Sequence, residues 1–314
     1  MTVTGPGRRR RWDRISLAAV FVGLPGLLYV GIVVWPLVQA AAYSLTNWSG
    51  FSPSAEFVGP ANFGRVLHDD RFWAALRTNG LLLVTLPLVM LGGALVLASL
   101  LTVGGVRTGR SRGLRGSSFY RAVIFFPYLI PGVAAGVMWG RIYDPSAGLL
   151  NGALTAIGLE GFKDFAWLGD TTTAFPSVVF TIVWGGLGFF VTYFVAAISG
   201  LDPEVFDSAR IDGAGPARTL WHITLPLLRE SIVSAAIFVE IGALDAYAIV
   251  TALTPDGGPD RSTFVLSQYL MQAAFKEGAF GTACAIGIVI ALVTFAVSAA
   301  LWTARREPAA QRGR

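Results

Sequence analysis

Five stretches of this chain contain no Asp, Glu, Lys or Arg: Ile15–Leu45, Thr78–Val106, Ala122–Gly140, Thr171–Leu201 and Gly278–Ala304. Each is about as long as, or longer than, the ~20 apolar residues that an α-helix needs to cross a bilayer. A sixth stretch, Ser231–Pro255, is apolar apart from Glu240 and Asp245. Hydrocarbon offers the backbone no hydrogen bonds, so only helices and closed barrels can span it. The short alternating segments of a barrel are absent. Charged residues make up 14% of the chain, against about 25% in soluble domains. The fold class expected is all-α, a polytopic membrane protein with six transmembrane helices. The spans lie near residues 15–44, 78–104, 120–142, 173–200, 229–253 and 279–303. They form one domain, 15–304, between a basic tail at 1–14 and a second tail at 305–314.

Basic residues set the orientation. If the N-terminus is cytoplasmic and six helices alternate, 17 of the 24 Lys and Arg fall inside and 7 outside. That bias is the positive-inside pattern, with both termini cytoplasmic and the chain multi-pass in the plasma membrane. Trp48, Phe72, Trp73, Trp139, Tyr143 and Trp167 collect near the outer boundaries, where amphipathic rings sit. Arg8–Arg11 ahead of the first span, and Ala40–Ala42 within it, resemble a signal peptide with its cleavage site. The apolar run is too long for one and reads as a retained helix.

Several chemistries are missing from the sequence. There is one cysteine, Cys284, and two distant histidines, His68 and His222. No HExxH, GxSxG or P-loop pattern occurs. No catalytic residue, metal site or cofactor of its own is expected. The arginines sit in short clusters between apolar runs, which fits membrane orientation rather than a nucleic-acid face.

The segment Leu201–Leu228, LDPEVFDSARIDGAGPARTLWHITLPLL, is far longer than a connector needs to be. Asp202 is a good N-cap, Pro203 suits the first helical position and Glu204 suits the positive helix end. The helix should run to about Asp212, with Gly213 left-handed just beyond its end. Pro216 can open a second helix, which Leu225-Pro226 should end. Val205, Phe206, Ala209, Leu220, Trp221 and Ile223 give the segment an apolar side, which implies a docking partner.

This loop resembles the EAA motif of ATP-binding-cassette (ABC) import permeases, EAA-x3-G-x9-I-x-L-P. The sequence supplies Asp207-Ser208-Ala209, then Gly213, Ile223 and Leu225-Pro226 at the full spacing. The first two letters are changed, and the carboxylate is one methylene shorter. The resemblance implies the type I importer permease fold. It also implies a coupling helix docked on a cytoplasmic ATPase dimer, which would bind the ATP. Asp207 would sit where the family's Glu contacts that ATPase, and Gly213 would make the turn. Leu253-Thr254-Pro255-Asp256-Gly257-Gly258-Pro259, with Thr263 and Tyr269, is similar to a segment of sugar permeases of the maltose and glycerol-phosphate type. So are Pro36, Ser44, Trp48, Gly59 and Asn62-Phe63. The partners so implied are a second permease subunit, an extracytoplasmic solute-binding protein and a sugar. On the residues alone, Gly257-Gly258-Pro259 says only that a tight turn is present.

Polar residues within spans are costly and usually face the bundle interior. Glu240, Asp245 and Tyr247, with Asn79, Trp184 and Tyr193 from other spans, supply the donors, acceptors and rings that a sugar requires. Inter-helix hydrogen bonding and packing are the alternative for each. Other readings are a permease for another polar solute (glycerol phosphate, a polyamine or an amino acid), a secondary transporter, or an intramembrane enzyme. A secondary transporter would show inverted repeats, and none is visible. An enzyme would need a catalytic constellation. Neither would need the 201–228 loop.

Overall fold

Charge-free windows leave the backbone no partner but itself, and the chain answers with helices. The computed structural model describes residues 19–52, 54–102, 106–107, 110–111 and 117–305. Both tails and part of the basic 107–121 connector lie outside the described residues. Among the described residues, four helices are long and apolar enough to cross a membrane: α1 (Val20–Tyr43), α3 (Asp70–Thr102), α7 (Ala174–Ser199) and α13 (Phe280–Thr303). Between the first two lies the short α2 (Ala61–Leu67). Two further spans are bent pairs, α4 (Phe119–Leu129) with α5 (Gly132–Ile142), and α10 (Arg229–Leu244) with α11 (Tyr247–Leu253). Counting each bent pair as one span gives six. Between α5 and α7 lies α6 (Leu149–Ala156), and α12 (Leu266–Met271) precedes α13. Val106–Arg107 and Arg110–Ser111 pair as a two-residue antiparallel ladder.

Three sequence expectations need correction. The helix that carries the second span begins at Asp70, eight residues before the span expected from residue 78, because Asp69 caps it by accepting the Arg71 N–H at 2.8 Å. A search for charge-free windows discards these charged first turns. The third span, expected as one helix over 120–142, is bent by 98° at Ile130-Pro131. Proline forces the residue before it out of the helical region, and Ile130 is extended (φ −82°, ψ 124°). The fifth, expected over 229–253, is bent by 47° at Asp245 and Ala246.

Three mid-helix prolines are handled in one way, whereas Pro87 of α3 itself opens a π-helical turn, Pro87–Leu91. Such a proline lacks the N–H for its i−4 bond and clashes with that carbonyl. Pro25, Pro36 and Pro226 each follow a π-helical turn: Ala19–Gly23, Val30–Val34 and Leu220–Thr224. In each case the residue four before the proline (Phe21, Ile32 or His222) lies in the widened turn. The widening moves the carbonyl away from the ring without breaking the helix.

The chain divides into two compact units. One comprises residues up to Val66 with Gln272–Ile288, and the other Leu67–Met271 with residues from Val289 onward. In the first, the buried Asn62 donates to the Ser44 and Thr46 carbonyls at 2.8 and 2.7 Å and accepts the Thr282 hydroxyl at 3.2 Å. Trp48 stacks on Tyr43 with centroids 4.2 Å apart.

In the second unit the core runs along α3, α7 and α10, with Leu82, Leu86, Val191, Phe194 and Val239 buried. Asn79, 1% exposed, clasps three elements: its amide donates to the Ala243 carbonyl at 3.0 Å and accepts the Leu266 N–H at 2.8 Å. Gly132 and Gly136 lie on one face of α5, against α11. A Cβ on Gly136 would stand 2.6 Å from that of Ala252 and 3.1 Å from the Ile249 carbonyl. Small residues allow this close helix approach. At the start of α3, Asp69 takes an ion pair from Arg71 at 2.8 Å and the Tyr269 hydroxyl at 2.8 Å. Burial alone would raise the Asp69 pKa. The bonds from the Arg71 side chain and amide and from Tyr269 outweigh it, and hold the carboxyl below its usual range.

Candidate functional site

The 201–228 segment folds as two helices around a sharp turn. Asp202 accepts the Glu204 N–H at 3.0 Å, capping α8 (Pro203–Ile211). At the other end the Ala214 N–H reaches back to the Ala209 carbonyl at 2.9 Å. That bond closes a Schellman turn around Gly213. Gly213 has φ +73°, and nothing lies within 4 Å of where its Cβ would be. Its demand is therefore one of backbone conformation, not space. A second helix, α9, runs through Pro216–Thr219, the π turn Leu220–Thr224 and Leu225–Leu227. The expectation that Leu225-Pro226 ends it is corrected: the widened turn carries the helix past Pro226, and the break comes at Leu228 (φ −89°, ψ 6°).

Within this pair Asp207 and Ser208 are exposed, Ala209 is buried and Ile223 is half-buried. Phe206 and Leu225 pack onto the core, and Pro226 is exposed. Two large apolar side chains stand on the outer surface among charged ones: Ile211 is 87% exposed and Trp221 is 67% exposed. Sequence reasoning missed Ile211. The signal available was an isoleucine in the last turn of a short helix whose inner face was already taken.

Asp245 sits in the bend between α10 and α11 and lines a cavity of about 390 Å³ with Tyr247, Ser267 and Thr294. The Ser267 hydroxyl is buried with no hydrogen-bond partner among the described residues. Thr294 donates to the Ile290 carbonyl at 2.8 Å, which leaves its oxygen able to accept. Glu240, five residues before the bend, is 8% exposed, and its Oε2 is buried without a partner among the described residues.

The structure thus brings Asp245 and Tyr247 together. It does not bring Asn79, Trp184 or Tyr193 into that cavity. Asn79 uses both ends of its amide on backbone. Tyr193 donates to the Ser231 carbonyl at 3.2 Å, and Trp184 packs edge-on to Trp139 at 5.4 Å. Ser267 and Thr294 escaped sequence reasoning because single hydroxyls in apolar segments carry no spacing signal.

Comparisons with known proteins agree with this architecture. Residues 101–309 match the family described as "Binding-protein-dependent transport system inner membrane component". The diacetylchitobiose uptake system permease protein NgcF of Streptomyces coelicolor is 46% identical over 304 residues, covering 96% of this chain and 86% of that protein. A crystal structure of a bacterial ABC transporter that imports the acidic polysaccharide alginate contains a chain of the same fold. Its TM-score is 0.76 at 20% identity, over 95% of this chain and 98% of that one. A second structure, of the bacterial alginate transporter in complex with an alginate pentasaccharide-bound periplasmic protein, matches with a TM-score of 0.73 at 20% identity, over 93% and 96%. With six spans, the helix–turn–helix loop and a family match across about two thirds of its length, this chain belongs to the binding-protein-dependent transport system inner membrane components, the permease subunits of ABC importers.

Proposed function

We propose that this permease forms half of the import pathway for a neutral oligosaccharide of the diacetylchitobiose type. In this reading it pairs with a second permease subunit and docks α8 and α9 on a cytoplasmic ATPase pair, which binds the ATP. It receives substrate from an extracytoplasmic solute-binding protein and catalyses no covalent step. It lies in the plasma membrane with both termini cytoplasmic. The observation that carries the reading is the capped helix–turn–helix with Ile211 and Trp221 turned to solvent. Two large apolar side chains so exposed are otherwise costly and mark an interaction surface. The substrate class rests on the 46% identity to a diacetylchitobiose permease and on the mixed lining of the Asp245 cavity. A carboxylate, a phenol and two hydroxyls provide both acceptors and donors.

Asp245→Ala is expected to lower diacetylchitobiose uptake by about tenfold or more in reconstituted vesicles, the effect of losing one charged hydrogen bond of ~1.5–3 kcal/mol. The complex should assemble normally. Unchanged uptake would remove Asp245 from the pathway. Orientation is checked separately with single cysteines in a Cys284→Ala background. A membrane-impermeant thiol reagent added outside should label position 153 and miss position 213. Efficient labelling of 213 would invert the topology.

A further inference from the structure

At the end of α7 away from α8 and α9, three elements of the second unit enclose another cavity, of about 470 Å³. Ligand sites commonly span ~300–1,000 Å³. One wall is a stripe of α3, where Ala74, Arg77, Thr78 and Leu81 recur at helical spacing. Another is the lead-in to α7, from Thr171 to Pro176, and the third is Asp260–Ser262. α3 has 33 residues, about 50 Å at 1.5 Å per residue, against a hydrocarbon core of ~30 Å. Arg77 lies about 10 Å from its start, in the part that overhangs the hydrocarbon.

We infer that this cavity is a second sugar-binding subsite, in which Arg77, Arg261 and Asp260 grip a neutral saccharide against the Phe175 ring. Four observations converge on it. Arg77 and Arg261 are exposed, and neither is in an ion pair among the described residues. Asp260 on the same wall adds an acceptor to these donors. Donors and an acceptor together suit a ligand with many hydroxyls. The Ser262 hydroxyl is buried without a partner among the described residues, so one unused polar group already lies in the wall. Asp260 and Arg261 are consecutive non-glycine residues at φ +49° and +58°. Such strain persists only where the surroundings fix it, and it concentrates at ligand clamps. Here the Arg261 N–H to the Gly258 carbonyl (3.2 Å) and the Ser262 N–H to the Pro259 carbonyl (2.9 Å) hold the turn. The Gly257-Gly258-Pro259 turn is followed directly by Asp260, Arg261 and Ser262, all on the cavity wall.

This inference rests on the oligosaccharide reading above, and one experiment separates the two. In the full complex with Cys284→Ala, Thr172→Cys and, separately, Leu81→Cys report on the second cavity, while Ser267→Cys reports on the Asp245 cavity. The readout is the labelling rate of this chain by a thiol reagent, with and without diacetylchitobiose. The sugar alone should slow labelling at 172 and 81 at least fivefold, and adding Arg261→Ala should abolish that protection. Protection at 267 but at neither 172 nor 81 overturns the second subsite and leaves the transport reading intact. Protection at none of the three overturns both. Protection at 172 that requires the solute-binding protein, and not the sugar, makes the cavity a docking surface and overturns the subsite.

Discussion

Gly213→Val is expected to yield a chain that inserts into the membrane yet neither retains its ATPase nor imports substrate. The residue sits at φ +73° with open space around its Cβ position. The penalty is therefore conformational: about 1–2 kcal/mol for an L-residue in the left-handed region, and more for a β-branched one. The turn relieves it by opening, which swings α8 relative to α9. The spanning helices are untouched, so insertion survives. Gly213→Asn should be nearly silent, because asparagine tolerates the same backbone region. Asp207→Lys should act like the valine, by presenting a cation where the family motif places an acid, whereas Asp207→Glu should be tolerated. Co-purification of the ATPase and substrate-stimulated hydrolysis in vesicles are the measurements. Normal coupling in both disruptive variants would show that this loop is not the transmission element.

Asn79→Leu should do comparable damage by a different route. Leucine removes both amide functions and strands the Ala243 carbonyl and the Leu266 N–H in a site 1% exposed. An unsatisfied buried group costs ~1–3 kcal/mol, so the pair costs on the order of 2–6 kcal/mol. That is a large share of a domain's net stability. The expected phenotype is low accumulation and a sharply lowered Tm of the detergent-solubilised chain. Asn79→Asp keeps the acceptor for Leu266 and should fall between leucine and the native residue. Asp245→Ala, by contrast, should be stable, with uptake lowered by about tenfold or more. If Asn79→Leu proves stable and alters only the KM of uptake, Asn79 touches substrate rather than holding the helices.

The contrast between these two residues shows what a single sequence can reveal. The helical regions were legible because each announces itself within its own ~20 residues, as an absence of charge. The Gly213 turn was legible for the same reason, since an N-cap, a proline and a glycine lie within a dozen positions. Asn79 was legible only as a polar residue in a span. Its partners lie 164 and 187 residues away, and no local pattern records such a clasp. The bend at Ile130-Pro131 did leave a local mark, the proline itself, but the uninterrupted apolar run around it concealed the break. At Asp245 the acid that suggested a pathway residue also marked the bend. Pro226 misled in the opposite direction, because a stop signal is cancelled by a widened turn that only the coordinates display.

That widened turn sets the angular phase of α9. A π turn holds one more residue than an α turn, and each residue advances an α-helix by about 100°. Leu225 is fixed on the core side, so the extra residue in Leu220–Thr224 decides which way everything before it faces. Wound as plain α-helix from the same anchor, the first part of α9 would be turned by roughly 100°. The Trp221 ring, now 67% exposed, would be carried round with it. Pro226 thus acts at a distance: by keeping the turn wide, it sets the direction of the exposed tryptophan.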